Sequence, residues 1–164
     1  MPSMTTFIPL ATASERLFDL LQADYLFYDA LTTSVMLCSN HTHTAIASPS
    51  LACFLEQVAL CFGSTLQGRK QVYRTLMKQT KQIPLCLSLD PLVCLIPTCS
   101  HQNPSLCYVN YPQIERIQKS PQKNRAILVF KDGLHLEAGS FASMERNYLK
   151  AGWFIHHYSS QSSQ

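Results

Sequence analysis

The chain has 164 residues, 46% of them hydrophobic and only 14% charged, with a formal net charge of +3. That length suits one domain with a core of its own, and a charged fraction below the usual ~25% excludes a disordered, highly charged chain. No stretch is long and apolar enough to form a bilayer-spanning helix, and the N-terminus lacks a signal-like cationic start. The expectation is a cytoplasmic protein with no membrane partner and with reduced thiols.

In chain order, residues 1–13 read as a loose lead-in, and 14–21 as a short helix with Ser14 as its cap. Residues 25–38 are mixed, with a strand-favouring run at 31–37, and 40–44 form a turn. Ser50 opens a stronger helix over 50–62: Leu51, Phe54, Leu55, Val58, Cys61 and Phe62 share helical spacing, and Gly63 is a natural stop. A polar loop with glycines at 63 and 68 leads into a basic helix over 68–80. Beyond Pro84 the apolar runs 85–89 and 92–97, separated by Asp90-Pro91, predict two strands. A polar turn (100–104) and a third strand (106–110) follow, and then a basic stretch, 116–125, that reads as an exposed loop. Residues 126–130 and 134–137 predict a hairpin around Asp132-Gly133. A helix over 140–151 comes next, and 158–164 read as a polar disordered tail. The reading is one domain over 1–157 of class α+β, with an antiparallel sheet of short strands over about 84–137. Helices precede it (50–62, 68–80) and follow it (140–151).

Charge is segregated along this order. Residues 1–56 sum to −4, 57–131 to +8 and 132–164 to −1. A basic middle between mildly acidic ends points to an acidic partner, nucleic acid foremost. Within it, Lys70, Arg74 and Lys78 recur every four residues and so share one helix face, with Lys81 just beyond. Val72, Tyr73, Leu76 and Met77 form the opposing apolar stripe. Taken alone, such a row is also what an ordinary solvated helix face looks like.

The motifs from Phe62-Gly63-Ser64 to Gly68-Arg69-Lys70 resemble the signature of the ComK family of competence transcription factors from Gram-positive bacteria. The resemblance continues through Pro84, Pro97-Thr98 and Ser100, then Phe130 with Asp132-Gly133, and Glu145 through Gly152-Trp153, so that it spans residues 60–154. The first fifty or so residues match weakly, Tyr108 stands where the family often has Trp, and the chain ends soon after Trp153. The resemblance implies a transcription activator of DNA-uptake genes that binds paired AT-rich boxes of double-stranded DNA, largely through the minor groove, as an assembly of several protomers. It also implies a nucleoid location, RNA polymerase and a proteolytic adaptor as partners, and no cofactor.

On this reading Arg69 and Lys70 are groove or phosphate contacts and Arg74, Lys78 and Lys81 are phosphate anchors. Ser64 and Thr65 donate to phosphate or groove-floor acceptors, or else cap the following helix. Lys119, Lys123 and Arg125 are flanking phosphate contacts or a solvated loop.

Two other function classes compete. Cys38, His41, Cys94, Cys99, His101 and Cys107 supply ligands for a thiol or zinc enzyme, yet no cysteine pair has zinc-knuckle spacing. Cys53, Cys61, Cys86 and Cys94 sit in apolar runs, where free cysteine behaves as a small hydrophobe. No catalytic residue is singled out, and the expectation is a protein that is not an enzyme. A protein-interaction module, or a family member that has lost DNA binding, is the remaining class.

Overall fold

The structure, a computed structural model, describes residues 13–122 and 124–162. Its elements in chain order are α1 (Ala13–Gln22), β1 (Tyr25–Asp29), β2 (Ser34–Cys38), β3 (His43–Ala47), α2 (Leu51–Cys61), α3 (Leu66–Met77), β4 (Leu85–Leu89) and β5 (Leu92–Pro97). They continue as β6 (Cys107–Asn110), β7 (Ile114–Lys119), β8 (Arg125–Phe130), β9 (His135–Ser140) and α4 (Phe141–Ser162). The α+β class is as expected, and the strands are more numerous. Instead of one sheet over 84–137 there are two antiparallel sheets, a six-stranded one ordered β3-β2-β1-β6-β5-β4 and a three-stranded one ordered β7-β8-β9.

Strands β4 to β6 of the six-stranded sheet are largely buried on both faces, and strand alternation sorts their side chains between two cores. Leu85 and Leu87 of β4, Val93 and Leu95 of β5 and Tyr108 of β6 join one core with Leu20 of α1 and Phe54, Leu55 and Val58 of α2. Their sequence neighbours Cys86, Cys94, Ile96, Cys107 and Val109 join the other, with Leu128 and Phe130 of β8 and Met144, Ala151 and Phe154 of α4. The layers are therefore helices, large sheet, then small sheet with α4. The third helix, α3, packs against β4 and reaches both cores through Leu66 and Tyr73.

The two sheets are also tied at their turns. Asn40, between β2 and β3, donates its backbone N–H to Asp132 Oδ2 and its side-chain amide to the Asp132 carbonyl, each at 2.9 Å. Asp24, only 1% exposed, lies beside Asp132. Burial first, and then Asp132 beside it, push its carboxyl up to about 8.

Several boundaries differ from the expectation. The stretch 31–37 holds only the second strand of a β1–β2 hairpin, whose turn is closed by Asp29 accepting from Leu31 N and Thr32 Oγ1 at 3.0 and 2.9 Å. The basic stretch 116–125, expected as a loop, contains most of β7 and the start of β8; Ile114 and Ile117 turn inward while Glu115, Arg116, Gln118 and Lys119 face solvent. Ser14, expected as a cap, lies inside α1. The last helix runs past 151 to Ser162, across most of the expected disordered tail, because Tyr158 stacks on buried Phe154 at 5.5 Å and carries the packed face onward. The Asp132-Gly133 hairpin forms as expected, with Gly133 at φ +93.

Candidate nucleic-acid interface

The basic helix is positioned by two consecutive local signals. Ser50 caps α2 by accepting from Cys53 N at 3.0 Å, and Gly63 at φ +70 ends it. Gly63 N donates to Leu60 O and Ser64 N to Ala59 O, at 3.0 and 3.1 Å, a Schellman closure that reverses the chain within three residues. Thr65 then caps α3, its Oγ1 accepting from Gly68 N at 3.0 Å.

The structure redraws this segment in two places and fulfils the capping alternative for Thr65. Helix α3 spans Leu66–Met77 instead of 68–80, and Gly68 is a helical residue, not the end of a flexible loop. Thr65 and Ser64 belong to the turn: Thr65 is the cap, and Ser64 Oγ donates to the Thr65 carbonyl at 3.3 Å. Lys78 ends the helix in the left-handed conformation, at φ +53.

The four cations of this segment do not share one face. The fixed point is Tyr73, 0% exposed, with its ring 4.8 Å from Phe154 of α4. At about 100° per residue, Lys70 and Arg74 lie ~60° and ~100° to one side of Tyr73, and Arg69, Leu76 and Val72 lie ~40° to ~100° to the other. Arg69 is half-buried; with Val72, Cys86, Leu89, Phe154 and Tyr158 it lines a narrow groove between α3, β4 and α4, and its buried Nε has no hydrogen-bond partner. Arg69 therefore does not join Lys70, Arg74 and Lys78 on one exposed face. The apolar stripe is likewise split, since Val72 and Leu76 are exposed and Met77 is half-buried.

The Lys70 flank is open to solvent at its far end. Lys70 is half-buried beside His101 and Leu106; burial, and then the charge of Arg74, push its ammonium below the usual lysine range. Burial, and then Lys70, also lower the His101 imidazole. Arg74 is half-buried and reaches Gln71 Oε1 at 3.4 Å, and Lys78 and Lys81 are exposed. The segment carrying the last two is held in place from inside. Gln79 donates to the carbonyls of Lys81 and Gln82 at 2.9 and 3.0 Å and to Asn147 Oδ1 of α4 at 3.2 Å.

The end of α3 nearest the turn is already compensated. The Glu56 carboxylate of α2 accepts from Leu66 N, its two oxygens lying 3.3 and 3.2 Å away. It occupies the place where a helix N-terminus would otherwise receive an anion. Neither Glu56 nor His101 was legible as part of this surface, because both come from other elements and carry no local motif.

The flanking candidates sit elsewhere. Lys119 is exposed on β7, and Arg125 opens β8 on the other sheet, paired with Glu137 of β9 at 3.3 Å. Lys123 lies outside the described residues. A cleft of about 570 Å³ opens between the sheets and includes Tyr25, Phe27, Asn103, Arg125 and Glu137 in its lining. Among the described residues, no group of three or more His, Cys, Asp or Glu side chains is gathered as a metal site would need.

A family model described as ComK protein matches residues 27–163, beginning well inside the N-terminal segment where the motifs are weakest. No curated protein and no solved structure matches the chain.

Proposed function

Since the chain belongs to the ComK family, a membership that points to a competence transcription factor, we propose that it is a DNA-binding regulator. In this reading it engages double-stranded DNA through the Lys70–Arg74–Lys78–Lys81 flank of α3. The observation that carries the proposal is the cationic row Lys70, Arg74 and Lys78 on a helix seated by a buried tyrosine, continued by exposed Lys81. Side chains on a rigid helix meet phosphates at fixed spacing and release counterions, which supplies affinity without sequence preference. Preference for paired AT-rich boxes and the minor groove comes from the family reading. Arg69 is the residue suited to a narrow, negative groove, provided that it swings out of its half-buried position. Assembly of more than one protomer on the DNA, residence in the cytoplasm at the nucleoid, and contact with RNA polymerase and a proteolytic adaptor belong to the same proposal. Catalysis has no place in it.

The test is binding of the full chain to two fluorescent duplexes of equal length, one with paired AT-rich boxes and one GC-rich, over a range of salt. Binding that favours the AT-rich duplex and weakens with salt, with a log–log slope of about −3 to −4 per protomer, supports the reading. Absence of binding to either duplex at low salt overturns it and leaves a protein-interaction role.

A further inference from the structure

Neighbouring strands of the large sheet bring two thiols together in the core beneath α3. Cys86 and Cys94 are directly opposed residues of the antiparallel β4–β5 pair. Their sulfurs are 2.8 Å apart. Opposed residues of antiparallel strands have Cα atoms about 4.5–5.5 Å apart, inside the span of about 4.4–6.8 Å that a disulfide bridges. The sulfurs would need to close by only about 0.8 Å to reach bonding distance. No other element stands between them, and the register shift that follows Cys86 gives the strand local freedom to adjust.

We propose that Cys86 and Cys94 form a peroxide-oxidisable dithiol, with Cys86 as the attacking residue and Cys94 as the resolving one. The roles follow from access. Cys94 is 0% exposed, and burial, then Cys86, raise its thiol well above the usual range. Cys86 is 6% exposed and lines the groove between α3 and α4. That groove has room for about 10 Å³ of solvent, about one water, so it excludes bulky disulfides such as oxidised glutathione and leaves hydrogen peroxide, among the smallest two-electron oxidants, as the one nearest in size to what it can take. The same groove presents Arg69, whose buried Nε–H lacks an acceptor and is available to a small oxygen species.

The chemistry balances in two steps. The Cys86 sulfur attacks one peroxide oxygen; the O–O bond breaks, and Cys86 becomes a sulfenic acid while the departing hydroxide takes up the thiol proton as water. The Cys94 sulfur then attacks the Cys86 sulfur; the S–O bond breaks, and the second hydroxide leaves as water with the Cys94 proton. Two thiols are oxidised to one disulfide, and one peroxide is reduced to two waters.

The full-length folded protein is exposed to hydrogen peroxide, quenched with N-ethylmaleimide and digested with chymotrypsin, which can cut between the two cysteines after Leu87, Leu89 or Leu92. A parallel sample receives oxidised glutathione. The expected result with peroxide is a linked Cys86–Cys94 peptide pair that has lost two hydrogens and separates on reduction. The pair is absent from Cys86→Ser, and glutathione leaves both thiols free for alkylation. Recovery of Cys86 and Cys94 as alkylated free thiols after peroxide has modified exposed Cys61 overturns the proposal. Equal linkage by oxidised glutathione overturns the size-selective route. Because the wild-type peptide map is decisive, poor folding of the variant leaves the test intact.

Discussion

The two basic regions of this molecule, α3 and the β7–β8 hairpin, differ in what stands beside their cations. On the hairpin, Arg116 pairs with Glu115 and Arg125 with Glu137, each at 3.3 Å. Among the described residues, no ion pair joins Arg69, Lys70, Arg74 or Lys78 of the α3 segment to a carboxylate. Exposed pairs of the hairpin kind contribute ~0–1 kcal/mol to stability, but each sets an anion where a phosphate would have to sit. A raw count of positive charges treats the two regions as alike; the ion pairs of Arg116 and Arg125 separate them, although the Glu56 carboxylate acts on Lys70 through its charge and Lys119 of β7 has no such pair among the described residues. It is on this ground that we assign the polyanion contact to α3.

The largest effect that would break the comparison is loss of the seat of α3. Replacing Tyr73 with alanine is expected to destabilise the fold by ~3–5 kcal/mol, as for other large buried aromatics. Tyr73→Phe should be neutral or slightly stabilising in denaturant melts, because the buried hydroxyl has no partner to lose. Next comes the triple change Lys70→Ala, Arg74→Ala, Lys78→Ala. It should lower the salt slope of DNA binding by about 3 and weaken binding on the order of 10²-fold near physiological salt. An unchanged slope would move the contact to the hairpin.

The joint between the sheets gives a pH signature. In the folded state the Asp24 carboxyl is raised from an ordinary 3.8 to about 8, so the folded protein holds a proton that the unfolded chain releases. That contribution to stability is complete below about pH 4 and is lost as pH rises through about 8. Thermal melts of the wild type should therefore decline between about pH 4 and pH 8 and level off above that, and Asp24→Asn should flatten the decline. A smaller effect separates charge from fold: Lys78→Gly relieves the left-handed conformation at the helix end, partly offset by the entropy of the unfolded glycine, and should stabilise the protein by up to ~1 kcal/mol while weakening DNA binding. The smallest is Arg125→Ala, expected to change affinity by less than ~0.5 kcal/mol, as suits a cation already paired.

Much of this architecture was legible where the signal is local. The Ser50 cap, the Gly63 closure, strands β4 and β5 around Asp90-Pro91, and the Asp132-Gly133 hairpin all carry their own turn or cap chemistry. Strands β1 and β3 were missed for lack of such punctuation. Tyr25–Asp29 lies in a sheet covered on both faces, and so it shows no apolar–polar alternation, while His43–Ala47 is short and half exposed. Strand β7 reads as a loop in the sequence because most of its residues face solvent. The partition into two sheets depends on pairings such as β1 with β6, which join residues eighty or more positions apart, and no local pattern records them. At the site, four-residue spacing correctly grouped Lys70 with Arg74. It could not reveal that Arg69, one position earlier, falls on the opposite side of Tyr73.

The carboxylate of Glu56 at the start of α3 bears on how a duplex could approach. A helix whose N-terminus is open can meet a phosphate end-on with its free amides. Here that pole is already neutralised from within the molecule, and the cations run from the second turn to beyond the last. DNA engaged by α3 would therefore lie alongside the helix, its strand tracking the Lys70-to-Lys81 edge, with the helix axis close to the direction of the backbone it follows.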